Sequence, residues 1–120
     1  MNGEKNNLDM LGNDPSKADI EELLSKLLVQ HRKVTELFAD DAKEKLVECI
    51  TYPGVFAPSP ATFDRRALMA VWATTEEAST LFLEICLEVG VLVPAENGRY
   101  MIPASVREKV HRICEKYLAP

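Results

Sequence analysis

A chain of 120 residues with 14 basic and 19 acidic side chains, net charge −5, is long enough for one domain with its own core. It is too short to join a nucleotide-binding α/β domain to a second domain. Its 47% hydrophobic content contains no apolar run near the ~20 residues that cross a bilayer, and its acidic balance argues against a protein whose main task is neutralising phosphates.

The opening MNGEKNNLDM lacks the charged-then-apolar layout of a secretory signal, so a cytoplasmic chain is expected. Cys49, Cys86 and Cys114 are odd in number and form no Cys-x-x-Cys, which predicts reduced thiols and no metal or cofactor. Residues 1–15, with four Asn and two Gly before position 15, predict a flexible arm. Ser16, with Asp19 three residues on, caps a helix whose apolar positions are Ile20, Leu23, Leu24, Leu27, Leu28 and Val34. That spacing predicts one amphipathic helix over about 17–36, packed on its own domain or used for dimerisation.

Asp40 and Asp41 open a second helix, with Ala42, Leu46, Cys49 and Ile50 as its inner stripe and Tyr52-Pro53-Gly54 as its stop. The prolines keep 55–60 out of helix. A short third helix is expected over 63–72, its apolar face ending in Trp72. Thr74 and Glu77 read as a capping box for a fourth helix, which Gly90 terminates. Residues 91–93 and 99–102 read as two strands joined through Asn97-Gly98, and Ser105 with Glu108 opens a last helix.

This order is that of a mainly α, winged-helix fold: a helix-turn-helix core and a β-hairpin wing, with an additional N-terminal helix. The predicted organisation is an arm (1–15), an amphipathic helix (16–37) and a winged-helix domain (38–120). In a DNA reader the fourth helix would carry Arg, Lys, Asn or Gln. Here residues 75–89 hold Glu76, Glu77, Glu84 and Glu88 and none of those four types, so a DNA-binding regulator is the secondary reading. Catalysis has one candidate pair, His111 and Cys114, three apart on a helix but without an oxyanion loop or an orienting third group. A chain with no catalytic, cofactor or metal residues is therefore expected.

From about 38 to 118 the chain resembles the winged-helix subdomain of the NB-ARC or STAND class of nucleotide-switch ATPases. The resemblance is carried by ADDAKEKLVECITYPGVF, where Tyr52-Pro53 stands at the family's Phe-Pro loop, and by RRALMAVWAT with Leu68 and Trp72. LFLEICLEVGVLVPAENGRYMI and SVREKV continue it in order. It implies a non-enzymatic regulatory module that packs on a nucleotide-binding domain, or another protein partner, and stabilises its resting state. Two departures matter. There is no phosphate-binding Gly-x-x-x-x-Gly-Lys-Ser/Thr loop, and Pro103 stands where the family's Met-His-Asp motif has its histidine. Contact residues are expected at Tyr52, Phe56 and Trp72 around the loop, and at Arg99, Tyr100 and Arg107 near the hairpin and last helix.

Overall fold

A computed structural model of the chain describes residues 11, 12 and 14–117. Among them are six α-helices and one two-stranded antiparallel sheet, a mainly helical fold. Helix α1 (Lys17–Gln30) begins as its sequence requires. Ser16 Oγ accepts the Asp19 N–H at 3.1 Å, and the Asp19 carboxylate accepts the Ser16 N–H at 3.2 Å. Ile20, Leu23, Leu24 and Leu27 are buried.

The single helix expected over 17–36 is two. The chain breaks at His31 (φ −125°, ψ 73°) and restarts as α2 (Arg32–Phe38). Apolar spacing cannot reveal this break, because Val34 is buried on the far side of it and keeps the periodicity intact. The break coincides with a long-range tie: His31 Nε2 lies 3.2 Å from a Glu88 carboxylate oxygen.

Asp40 and Asp41 do not begin the next helix but form a 3-10 turn with Ala39, and Asp41 makes no side-chain cap bond to α3 (Ala42–Thr51). Their charges sit before a helix N-terminus, which the helix dipole favours. Helix α3 stops at a 3-10 turn over Tyr52–Val55. In a continuing helix the Cys49 carbonyl would accept the N–H of residue 53, and Pro53 has none. Two side chains from other helices supply the missing donors. The Trp72 Nε1–H donates to the Cys49 oxygen at 3.1 Å, and the Cys86 thiol donates to the same oxygen at 3.2 Å.

Helix α4 (Arg65–Trp72) starts two residues later than expected, because Asp64 accepts the Ala67 N–H at 2.9 Å and caps it. Phe63, expected inside the helix, is extended and forms an antiparallel bridge with Tyr100, with N–H to oxygen distances of 2.9 and 2.8 Å. Ala73, left-handed at φ 52°, turns the chain into α5 (Glu76–Val89). The cap of α5 is Thr75, whose hydroxyl accepts the Ala78 N–H at 3.1 Å, one residue after the expected Thr74. Gly90 ends α5 at φ 92° as its position predicts.

The strands are shorter than expected. Strand β1 (Val93–Pro94) pairs with β2 (Tyr100–Met101), Val93 opposite Met101 and Pro94 opposite Tyr100. Val91 and Leu92 are spent on closing α5: both are buried, and Leu92 N–H bonds back to the Cys86 carbonyl at 3.2 Å. Asn97 and Gly98 take the positive φ values the turn needs, 61° and 70°. Helix α6 (Ala104–Tyr117) buries Val110 and Ile113. One apolar cluster joins the α1 stripe to Leu46 and Ile50 of α3, Phe82 and Ile85 of α5, Ile102, and the α6 pair.

Residues 1–10 and 13 of the expected arm, and Leu118, lie outside the described residues. What is described of the arm is tied down rather than free. Leu11 packs on the core and its carbonyl accepts Lys109 Nζ at 3.1 Å, while Lys116 Nζ reaches the Asp14 carboxylate at 3.1 Å and the Pro15 carbonyl at 2.6 Å. Among the described residues no helix is long and apolar enough to cross a membrane.

Candidate interaction surface

Four of the six expected contact residues meet around the segment between α3 and α4. Arg107, on α6, shares its Nε–H between the Phe56 carbonyl at 2.8 Å and the Gly54 carbonyl at 3.1 Å. His111, one turn further on, places Nε2 at 3.1 Å from the same Gly54 oxygen. A carbonyl only accepts, so this nitrogen carries the proton. Phe56 stacks on Phe63, ring centroids 4.2 Å apart and planes at 14°. Phe63 bridges to Tyr100, and Arg99 clasps Thr62 through its hydroxyl at 2.7 Å and its carbonyl at 2.9 Å.

Arg99 and Arg107 thus spend their donors on the chain's own loop. Tyr52 is half-buried and packs against the core. Trp72 stands apart from those four, 5% exposed, edge-on to Phe82 at 5.6 Å and bonded to the Cys49 carbonyl.

The reactive side chains are similarly occupied. His111, considered above only beside Cys114, holds the loop; Thr62 and Gly54, its other anchor points, carried no sequence signal of this role beyond the Pro-Gly pair. Cys49 and Cys86 are buried with sulfurs 3.8 Å apart, and burial, followed by the neighbouring thiol, pushes the Cys49 pKa well up. Such a thiol is held protonated and is a poor nucleophile. No group of three or more His, Cys, Asp or Glu side chains placed to hold a metal occurs among the described residues.

What α5 leaves to solvent is different in character. Glu77, Thr80, Glu84, Leu87 and Glu88 are exposed along one side of the helix at steps of three and four, and Glu76 stands at its start. Neighbouring elements offer bases to three of the four acids: Lys33 Nζ lies 3.2 Å from Glu77, Arg65 3.9 Å from Glu76, and His31 3.2 Å from Glu88. The Lys33–Glu77 and Arg65–Glu76 pairs, exposed on both sides, contribute little to stability. Their effect on the surface is to engage the nearest bases with acids of the same face. Glu84 has no ion pair among the described residues, and Leu87 beside it is 37% exposed. The face therefore presents carboxylates and, in its last turn between Glu84 and Glu88, one exposed leucine.

The chain matches no protein-family model, and neither curated proteins nor solved structures returned a match.

Proposed function

We propose that this chain is a non-enzymatic, cytoplasmic interaction module with a winged-helix core, of the regulatory kind that packs on a nucleotide-binding domain in nucleotide-switch ATPases. The element order supports the fold reading. The extended Phe63 lies between α3 and α4 and pairs with β2, so the order is helix, strand position, helix, helix, hairpin, as in winged helices.

The outward face of α5 carries the functional reading. In a DNA reader that helix enters the major groove, where its groups must donate to base edges and offset phosphate charge. Here it offers Glu84 and Leu87 in its C-terminal half, together with three further glutamates. Such a face repels a polyanion and suits a protein surface that buries Leu87 and supplies Arg or Lys at the rim. Arg99 and Arg107, the bases nearest the hairpin, are occupied by loop carbonyls. Pro103, at the position of the family's histidine, has no side-chain donor for a nucleotide, so packing is the mode of contact.

The test is an isotope-edited NMR titration of the whole chain with three ligands at low salt: a nucleotide-binding domain of a switch ATPase, ADP, and a mixed-sequence DNA duplex. Shifts in Thr80, Glu84 and Leu87 with the protein domain, and none with ADP or duplex, are expected. Saturable shifts on α5 with the duplex, weakening steeply with salt, would replace this reading by the DNA-binding one.

A further inference from the structure

Cys49 and Cys86 meet where α3 packs on α5. Both are buried, and their sulfurs lie 3.8 Å apart. Each thiol donates to the backbone of the helix opposite: Cys49 Sγ–H to the Phe82 carbonyl at 3.6 Å, and Cys86 Sγ–H to the Cys49 carbonyl at 3.2 Å. This crossed arrangement brings both sulfurs to one point between the helices.

Removing both thiol hydrogens strands neither acceptor. The Cys49 oxygen keeps the Trp72 indole at 3.1 Å, and the Phe82 oxygen keeps the N–H of Cys86, one turn on within α5. A thiol is a weak donor, so little hydrogen bonding is lost. An ordinary buried cysteine packs as a small apolar group, without a second sulfur against it. We propose that Cys49 and Cys86 are an oxidation site, joined by a hydroperoxide into a disulfide that ties α3 to α5.

One thiol, deprotonated when α5 loosens from α3, attacks the peroxide. Its sulfur takes one oxygen as a sulfenic acid, and the other oxygen leaves as water. The second thiol, already beside it, attacks the sulfenic sulfur: the S–S bond forms, the S–O bond breaks, and the hydroxide leaves with the thiol proton as a second water. Two electrons pass from the sulfurs to each peroxide. The sulfurs close from 3.8 Å to about 2.05 Å by rotation about the Cα–Cβ bonds and a small approach of α5 to α3. Burial keeps the Cys49 thiol protonated and slows the first step; contact between the sulfurs fixes the product. The site does not depend on the reading of the outward face of α5.

The test treats the reduced, folded chain with hydrogen peroxide without denaturant, then unfolds it in urea with an alkylating agent. Peptide mass mapping should show the Cys49 and Cys86 peptides joined, lighter by two hydrogens, and separated again by dithiothreitol. Cys114, half-buried on α6, should stay outside the bond. Trp72 reports the same event in solution: its indole bonds the Cys49 carbonyl, and a disulfide beside an indole quenches its emission. Fluorescence should fall with peroxide and return on reduction. Cys114→Ser should keep both readouts, and Cys49→Ala and Cys86→Ala, checked for folding by circular dichroism, should lose both. If neither core variant folds, the mapping of Cys114→Ser decides alone. A folded chain in which Cys49 and Cys86 are still alkylated after peroxide, pass unpaired to sulfinic acid, or pair with Cys114 overturns the proposal.

Discussion

Replacing Arg107 and His111 singly and together measures how strongly α6 holds the loop after α3. Arg107→Ala removes the Nε–H shared by the Gly54 and Phe56 carbonyls. Gly54 keeps its bond from His111, and the half-buried Phe56 carbonyl can turn to water. A bond from a charged donor contributes about 1.5–3 kcal/mol, so a loss of about 2 kcal/mol is expected. His111→Ala leaves Gly54 bonded to Arg107 and should cost about 1 kcal/mol for a neutral bond, plus whatever the ring contributes by packing.

Only the double variant strips the Gly54 oxygen of both donors, inside a buried residue. An orphaned buried acceptor costs about 1–3 kcal/mol beyond the lost bonds. The double variant should therefore exceed the sum of the singles by about 1–2 kcal/mol. Ring packing is lost equally in His111→Ala and in the double variant, so the cycle cancels it. Urea unfolding followed by the fluorescence of Trp72, the only tryptophan and a buried one, reads all four proteins. Additivity within about 0.5 kcal/mol would refute the shared-acceptor argument.

Gly54→Ala tests the same joint from the other side: an added Cβ would sit 3.1 Å from Val110 Cγ1 and 3.2 Å from His111 Cδ2, so a loss of about 1–3 kcal/mol is expected, and an unchanged melting temperature would contradict that close approach. Alkaline pH should destabilise the fold through Cys49. Its folded pKa is raised, so above the unfolded thiol value of about 8.5 the native chain holds a proton that the unfolded chain has released. Stability is full below that pH and falls above it by up to about 1.4 kcal/mol per pH unit, and Cys49→Ala should show a shallower fall when melting is followed from neutral to alkaline pH.

Local chemistry made much of the fold legible. Ser16 and Asp19 cap α1 reciprocally, Gly90 ends α5, and Asn97-Gly98 turns the hairpin, because each decision depends on residues within a few positions. The errors share the opposite cause. The break at His31 has no glycine or proline to announce it and coincides with a contact 57 residues away in Glu88. Phe63 reads as helix by its neighbours and is extended because Tyr100, far along the chain, pairs with it.

The site divides in the same way. The acidity of α5 was readable directly, since a helix without Lys or Arg presents none wherever it points. Which acids face outward around Leu87 depended on packing. Arg99 and Arg107 stand near the hairpin and last helix, but the partners they bond, Thr62, Gly54 and Phe56, lie 37 to 53 residues earlier. No local pattern encodes that pairing.

The Cys49 carbonyl ties three separate positions, 53, 72 and 86, into one structural unit. Proline at 53 leaves the oxygen open, and Trp72 and Cys86 fill it. Among relatives of this chain, those three positions should change as a set. A lineage that regains an amide N–H at 53 frees the indole to become phenylalanine or leucine, and one that loses the indole comes under pressure to lose the proline too. A sequence collection in which residue 72 varies independently of residue 53 would show that the joint imposes no such linkage.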